Sequence, residues 1–495
     1  MKGLIPTLLC DFYKVSHREQ YPEGTEVVYS TWTPRSGKHA PNIKEVTAFG
    51  FQGFMKEFLV DFFNENFFNR EKEEVVAEYV RILKNCLFIQ EPYTQHIEEL
   101  HDLGYLPLEV KAVDEGTQVP FRVPMLTVEN TDPRFFWLTN YFETLASNNL
   151  WKPATSASTA KVYREILDKF ALETTGSILG VEFQGHDFSM RGMSGVEDAA
   201  RTGVGHLLSF AGTDTIPAIQ YAEQYYGANV EKELVGCSVN ATEHSVMCAG
   251  GKGDEFETYR RLIEDTYPTG IVSIVSDTWD LWHVLTDTIP KLKDSIMARD
   301  GGPESLDKVV IRPDSGDPAD ILCGDPKAPV GSPAFKGVVE LLAETFGTTT
   351  TEQGYKLLDS HIGAIYGDAI TIERCTDICE RLKAKGFAST NVVYGIGSYT
   401  YQFNTRDTLG FAMKSTSVTI NGVQKAIFKD PATDDGTKKS AVGRVEVKRN
   451  KDGVLEVFDE LDTVIDGPNL LQTRFKDGKL FRETTLAEIK SRLNG

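Results

Sequence analysis

Residues 309–318 read Val-Val-Ile-Arg-Pro-Asp-Ser-Gly-Asp-Pro, a β-branched run that stops at a cation and a carboxylate and then breaks into a turn. An uninterrupted apolar run of this length suits a strand buried on both faces, as in a parallel sheet. Side chains alternate along a strand, so Arg312 and Asp314 point to the same side. A guanidinium fork suits a phosphate, and a carboxylate suits sugar hydroxyls or Mg2+. Taken alone, the segment reads equally well as a proline-bracketed turn with an Arg–Asp pair.

The pattern recurs around it. Seven short apolar runs end in polar clusters, at His186-Asp187, Asp214, Glu243-His244, Asp277, Asp314, Asp368 and Gly395–Gly397. Taking Asp187, Asp214, His244, Asp277, Asp314, Asp368 and Gly397 as leading residues, the steps are 27, 30, 33, 37, 54 and 29 residues. A strand-plus-helix unit needs about 30 residues. The long step contains 316–333, rich in Asp, Gly and Pro, which reads as an inserted loop. Ile370, Ile372, Cys375, Ile378 and Leu382 follow helical spacing, and Lys383, Lys385 and Gly386 supply a basic last turn and a C-cap. Parallel strands joined by helices put all their C-terminal ends on one face, so the seven clusters converge at a barrel mouth. Strands often end in Asp or Gly because those residues start turns and cap helices. Seven such ends together, with two Arg and two His, favour a polar site.

The flanks read differently. Val75, Val76, Tyr79, Val80, Leu83 and Leu87 mark one amphipathic helix, and Tyr163, Ile166, Leu167 and Phe170 another. Residues 444–450 and 454–460 flank Lys451-Asp452-Gly453 as a hairpin, and a second hairpin turns at Asp477-Gly478. Thr485 with Glu488 forms a capping box for a closing helix.

Composition narrows the class. The 495 residues are 41% hydrophobic and 25% charged, a soluble globular balance large enough for two to four packing units. A net charge of −20 opposes nonspecific binding to nucleic acid or an anionic membrane, and the one basic cluster, Lys448–Lys451, reads as a solvated turn. The seven cysteines form no CxxC pair, which predicts a reducing, cytoplasmic setting and no zinc ribbon. Cys375 and Cys379 read as core positions. Residues 3–10 are too short for a secretory core, and no apolar stretch is long enough to cross a membrane. HExxH, GxSxG and Walker A patterns are absent, so those chemistries lose their support.

Two further clusters bear on ligands. His186-Asp187-Phe188-Ser189-Met190-Arg191-Gly192 sets a second Arg near an aromatic ring, suited to an anion beside a planar heterocycle. Ala241-Thr242-Glu243-His244-Ser245 puts a His beside a carboxylate at a strand end, a pattern shared by many structural histidines.

The order of motifs carries a resemblance: HDFSMRG, GTDT at 212–215, ATEHS, VSDTWD at 275–280, IRPDSGDP, YGDAI at 366–370 and YGIGS at 394–398, with DFYKVSHREQYP at 11–22 and ENTDPRFFWLTNYFET at 129–144. Nearly end to end, the chain resembles the nicotinamide phosphoribosyltransferase family, of the type II phosphoribosyltransferases. The resemblance implies an α/β fold, an irregular TIM-like α/β barrel over 181–398. It also implies a mostly antiparallel β domain built from 1–180 and 399–495. The implied reaction joins nicotinamide to phosphoribosyl pyrophosphate, giving nicotinamide mononucleotide and pyrophosphate. Mg2+ is the implied cofactor, held mainly by the pyrophosphate, so no metal ligand is assigned.

Carried over by motif, Arg191, His244 and Arg312 hold pyrophosphate, and Asp314, Gly367 and Asp368 take the ribose. Phe188 stacks on the pyridine ring, with Tyr13 of the partner subunit in a homodimer on its other face. Arg406, Lys414, Gly397 and Ser398 match the 5′-phosphate site. His244, Asp277 and Asp314 form the implied catalytic set; His244 matches the histidine that the family phosphorylates when ATP is coupled to synthesis, and Lys429 and Lys438 match positions tied to that step. One departure stands out: where the family has three glycines, this chain has Gly397-Ser398-Tyr399.

Asp214 makes the physical case for amide over acid. A carboxylate at the pyridine edge accepts a bond from a carboxamide nitrogen and repels a nicotinate carboxylate. The competing reading of Asp214 is a cap for a helix starting near Thr215. The alternatives at the level of function are nicotinate phosphoribosyltransferase, a barrel that has lost catalysis and serves in binding, and a generic sugar-phosphate barrel enzyme.

Overall fold

The computed structural model describes residues 3–300, 306–429, 440–462 and 465–495. Lys438 lies outside the described residues. The chain forms two compact units: one takes the residues through Ser158 with Tyr221–Asn229 and Asn404–Gly495, the other Thr159–Gln220 and Val230–Phe403. The division falls at 158 and 403 rather than at 180 and 398. The first limit lies inside the 33-residue helix Glu143–Thr175, where no cap or turn residue marks it.

The second unit carries the parallel sheet. Its strands are β1 (Gly185–Asp187), β2 (Gly212–Thr213), β3 (Asn240–Ala241), β4 (Ile271–Val275), β5 (Lys308–Arg312), β6 (Ile362–Tyr366) and β7 (Val392–Ile396). β1 pairs in parallel with β2, β3 to β7 each pair in parallel with the next, and β7 pairs back onto β1 through Gly395 and His186. Residues 237–241 close the ring: Cys237 bridges Gly212 in parallel, and Asn240 and Ala241 pair with Val272 and Ser273. The irregular α/β barrel expected from the sequence is therefore present, with all seven predicted strand ends on one rim.

Register sorts the strand residues into two faces. Val309, Ile311, Val272, Ile274, Ile362, Ala364, Tyr366, Val392, Tyr394 and Ile396 pack outward into one apolar core with the helices Val338–Phe346 and Ile372–Ala384. Burying each large aliphatic side chain there contributes about 1.5–3 kcal/mol. The inner face is sparse: Gly212, Gly363, Gly367, Gly395 and Gly397 lie on it by alternation, level with His186, Phe188, Ser273 and Val310.

Two readings need correction. Residues 316–333 are not all loop: Asp317 accepts from the amides of Ala319 and Asp320 and starts the helix Pro318–Cys323. An Asp-Pro pair is a helix start as readily as a turn. The long step is filled by this helix, Val338–Phe346 and the ribbon Thr348–Thr350 with Lys356–Leu358. Lys448 is buried, with Nζ bonded to the Ile465 carbonyl, so only the turn after it is a solvated basic stretch.

The first unit is a seven-stranded sheet of interleaved N- and C-terminal segments. Thr25–Thr33 pairs antiparallel with both Ala412–Ile420 and Leu126–Asn130, and Leu108–Ala112 pairs with Gln472–Lys476. The predicted hairpins form at Glu446–Arg449 with Leu455–Phe458 and at Asp477-Gly478, and Thr485 and Glu488 complete the capping box. No helix among the described residues is long and apolar enough to cross a membrane.

One buried acid in this unit sets a pH dependence. Burial pushes the Glu115 carboxyl up to about 7, although the amides of Phe51 and Gly50 and the Tyr226 hydroxyl donate to it. A raised folded-state value gives stability that is full below the unfolded value near 4.5 and is lost as pH rises through 7. Glu115→Gln removes that dependence. The Tm difference between variant and wild type should grow in the variant's favour from pH 5 to pH 8, by the equivalent of about 3 kcal/mol.

Candidate active site

A cavity of about 550 Å³ opens at the C-terminal ends of the barrel strands. Phe188, Arg191, Asp214, Arg312, Asp314, Gly367, Asp368, Gly397 and Ser398 line it, so nine of the sequence-predicted residues meet in one place. Met190, Thr215, Ala369 and Tyr399 complete the wall.

Phe188 forms the floor. Its amide donates to the Ile396 carbonyl, which continues the β1–β7 pairing beyond the strand. The ring packs against backbone that has no side chains: a Cβ on Gly395 would sit 2.6 Å from Phe188 Cε2 and 2.7 Å from Gly367 Cα, and one on Gly367 would sit 3.1 Å from the ring. Gly395→Ala therefore forces either Phe188 or the Gly367 strand to move. We expect an order-of-magnitude rise in KM for the base with a folded protein, measured by steady-state kinetics alongside circular dichroism.

Arg312 ends β5. Its Nη2 donates to the Thr242 carbonyl at 2.8 Å, and its Nε is buried without a protein acceptor. Thr242 is itself fixed, donating its amide to Ser273 O and accepting from the Val275 amide. A half-buried, tethered guanidinium in a cavity wall suits an anion. Arg191 reaches the same cavity from the turn Met190–Gly192.

Asp277 and Asp314 are coupled. Asp277 Oδ2 accepts from the Asp314 amide at 2.9 Å and from Ser315 Oγ at 2.5 Å, while its Oδ1 is buried with no partner and lies 4.0 Å from His244 Nε2. The other ring nitrogen, His244 Nδ1, meets Thr278 Oγ1 at 3.1 Å. His244 opens the helix His244–Cys248 and is half exposed; neither it nor Asp277 is among the residues that line the cavity.

Asp214 has a set of partners that no local pattern reveals. Its Oδ1 meets His186 Nε2 at 3.0 Å and Ser238 Oγ at 2.5 Å. Burial alone would raise this carboxyl, but those hydrogen bonds and the nearby Arg312 charge outweigh it and hold the group below its ordinary range. The side chain is not used as a cap for the helix Ile216–Tyr226. Asp187, its neighbour on the rim, is different. It faces away from the bore, is fully buried, and accepts from the Ser189 amide, so that strand end is a turn device.

The remaining wall explains the departure from three glycines. Gly397 has φ −94°, an ordinary extended conformation open to any residue, and a Cβ there would meet open space. Ser398 instead packs against Gly192, whose missing side chain makes room for it. Ala369 takes φ +50°, held by Arg374 Nη1 on its carbonyl at 2.6 Å.

Four predicted residues belong to the other unit and are described there. Tyr13 is exposed on the turn Phe12–Ser16 with Lys14 Nζ 5.2 Å from its ring centre. Lys414 has its pKa lowered chiefly by burial and further by Arg35, Lys429 and Arg406, opposed by Glu143, so these cations gather. Arg35 was not predicted; its position 379 residues before Lys414 gives no sequence signal. No three His, Cys, Asp or Glu side chains among the described residues cluster as a metal site.

The nicotinate phosphoribosyltransferase (NAPRTase) family model matches residues 183–462, and the model of the nicotinamide phosphoribosyltransferase N-terminal domain matches residues 6–110. A relative named nicotinamide phosphoribosyltransferase from Acinetobacter baylyi is 53% identical over 492 residues, covering 99% of this chain and 97% of its own. Another of that name from Mycoplasma pneumoniae is 36% identical over 455 residues, covering 89% of this chain and 95% of its own. Among solved structures, human nicotinic acid phosphoribosyltransferase matches with a TM-score of 0.59 at 15% identity, covering 98% of this chain and 93% of its own, a likeness of fold.

Proposed function

This chain belongs to the nicotinate phosphoribosyltransferase family, and from that premise and its nicotinamide phosphoribosyltransferase relatives we propose that it joins nicotinamide to phosphoribosyl pyrophosphate, releasing nicotinamide mononucleotide and pyrophosphate in NAD salvage. The observation that carries the choice of base is Asp214, an ionised carboxylate fixed in the same cavity as Phe188. Phe188 supports the pyridine ring, and Asp214 accepts the carboxamide N–H.

The pyridine nitrogen is nucleophilic as it stands and needs no base. It bonds to ribose C1 as the C1–O bond to pyrophosphate breaks, and the electron pair leaves with the pyrophosphate. Arg312 and Arg191 stabilise that leaving charge. Asp314 and Asp368, with the Gly367 backbone, hold the ribose hydroxyls, and their carboxylates favour the cationic character that develops at C1.

Asp277 Oδ1 is a buried carboxylate oxygen without a hydrogen-bond partner, next to Asp314 at the strand ends, and it suits a Mg2+ carried on the pyrophosphate. When bound, the ion neutralises phosphate charge. We read His244 as the acceptor in an ATP-coupled step, oriented by Thr278 on one nitrogen and Asp277 near the other. Gly397 and Ser398 suit the 5′-phosphate, and in the homodimer that the resemblance implies the partner's Tyr13 is a second wall for the ring. None of the seven cysteines is in a disulfide, in keeping with the reducing setting that their spacing suggests.

The family model that covers residues 183–462 is named for nicotinate, so nicotinate is the second reading. A product assay decides: purified protein with phosphoribosyl pyrophosphate, Mg2+ and either base, the mononucleotide being separated by chromatography. Product from nicotinamide is expected. Product from nicotinate alone, or from neither base, overturns the proposal.

A further inference from the structure

His186 has no part in the reaction above, yet it is built into the floor of the pyridine site. It is the inward residue two positions before Phe188, with ring centres 4.9 Å apart and planes tilted by 56°. Room for it comes from Gly212 on the adjacent strand, where a Cβ would sit 2.7 Å from His186 Nδ1 and 3.0 Å from the Gly185 carbonyl. Backbone pairing therefore sets where the imidazole lies.

An ionised carboxylate offers only acceptors, so both neighbours of Asp214 Oδ1 must donate to it. His186 then carries its proton on Nε2, and the Ser238 hydroxyl turns toward the same oxygen. The two donors come from different barrel segments, β1 and the closing stretch 237–241, and both contact one oxygen of the pair. That fixes the otherwise two-fold rotation of the carboxylate and leaves Oδ2 as the oxygen available to a ligand. Neither donor is recognisable from local sequence: His186 lies 28 residues from Asp214, and Ser238 lies 24.

We infer that His186 is a specificity-determining positioning residue: with Ser238 it pins Asp214 Oδ1, so that Oδ2 alone meets the base and the site accepts a carboxamide while opposing a carboxylate. The inference rests on the nicotinamide reading given above. A pinned acceptor is already in place when the carboxamide arrives, whereas a loose one must be ordered by the ligand, which weakens binding of the base without touching the bond-breaking step.

The test is steady-state kinetics of His186→Ala, His186→Gln and Ser238→Ala with both bases, the fold of each checked by circular dichroism. Gln keeps an N–H near the Nε2 position; Ala does not. For His186→Ala, KM for nicotinamide should rise about tenfold and the preference for nicotinamide over nicotinate should fall about tenfold, with kcat changing less than about threefold. His186→Gln should recover most of both, and Ser238→Ala should show the same direction with a smaller effect. The inference is overturned if a folded His186→Ala keeps the wild-type preference, if kcat and the KM values of both substrates deteriorate together, or if His186→Gln is no better than His186→Ala. Should His186→Ala fail to fold, the Gln and Ser238 variants decide by the same preference ratio. A wild-type protein that makes no product from nicotinamide overturns the underlying reading instead, a result seen before any variant is compared.

Discussion

Arg312→Ala should lower kcat by about 100- to 1,000-fold while the Kd for nicotinamide changes by less than about threefold. The guanidinium is tethered by Nη2 to the Thr242 carbonyl, and its buried Nε has no acceptor of its own. Such a group is partly desolvated before any substrate arrives, and an anion bound in the cavity that Arg312 lines offsets that cost. Negative charge on the leaving pyrophosphate grows toward the transition state, so the interaction strengthens where it lowers the barrier. Nicotinamide is neutral and has no such need. Arg312→Lys keeps the charge but not the fork, and should recover only part of the loss. Single-turnover rates and a separate titration with nicotinamide split the two effects; an unchanged kcat would remove Arg312 from the leaving-group site.

Asp214→Ser has the second largest expected effect. Removing the carboxylate takes away both the acceptor for the carboxamide and the repulsion of a nicotinate anion. The kcat/KM for nicotinamide should fall about 10- to 100-fold, and that for nicotinate should rise, so the preference narrows or inverts. Ser also leaves His186 and Ser238 facing the cavity as donors, which suits a carboxylate ligand. Competition assays with both bases present measure the ratio directly. A variant that still rejects nicotinate would place the discrimination elsewhere.

Much of this site was legible because parallel strands obey simple rules. The alternation that joins Arg312 to Asp314 and the near-constant step between strand ends require no tertiary knowledge; they led to Asp214, Arg312, Asp314, Asp368 and Gly397, which line one cavity, and to His244 and Asp277, which do not. Asp187 marked the strand end correctly but faces away from the bore, since a strand end has two sides and composition alone does not say which faces inward. Residues 316–333 looked like loop because Asp-Pro serves turns and helix starts alike. The unit limit inside Glu143–Thr175 left no mark, because a continuous helix has no punctuation where its packing partners change. Ser238 and Arg35 escaped notice, and His186 and Thr242 were seen without their roles, because those roles are set by partners far along the chain.

The glycines of the inner barrel face carry one more implication. At Gly367 and Gly395 the wall beneath Phe188 is main chain with nothing left to trim. Any single codon change there adds atoms, so mutation at these two sites has one direction only: the chamber shrinks. An engineer seeking to admit a bulkier heterocycle must carve it from Phe188 or Tyr399, and a lineage drifting under selection faces the same asymmetry.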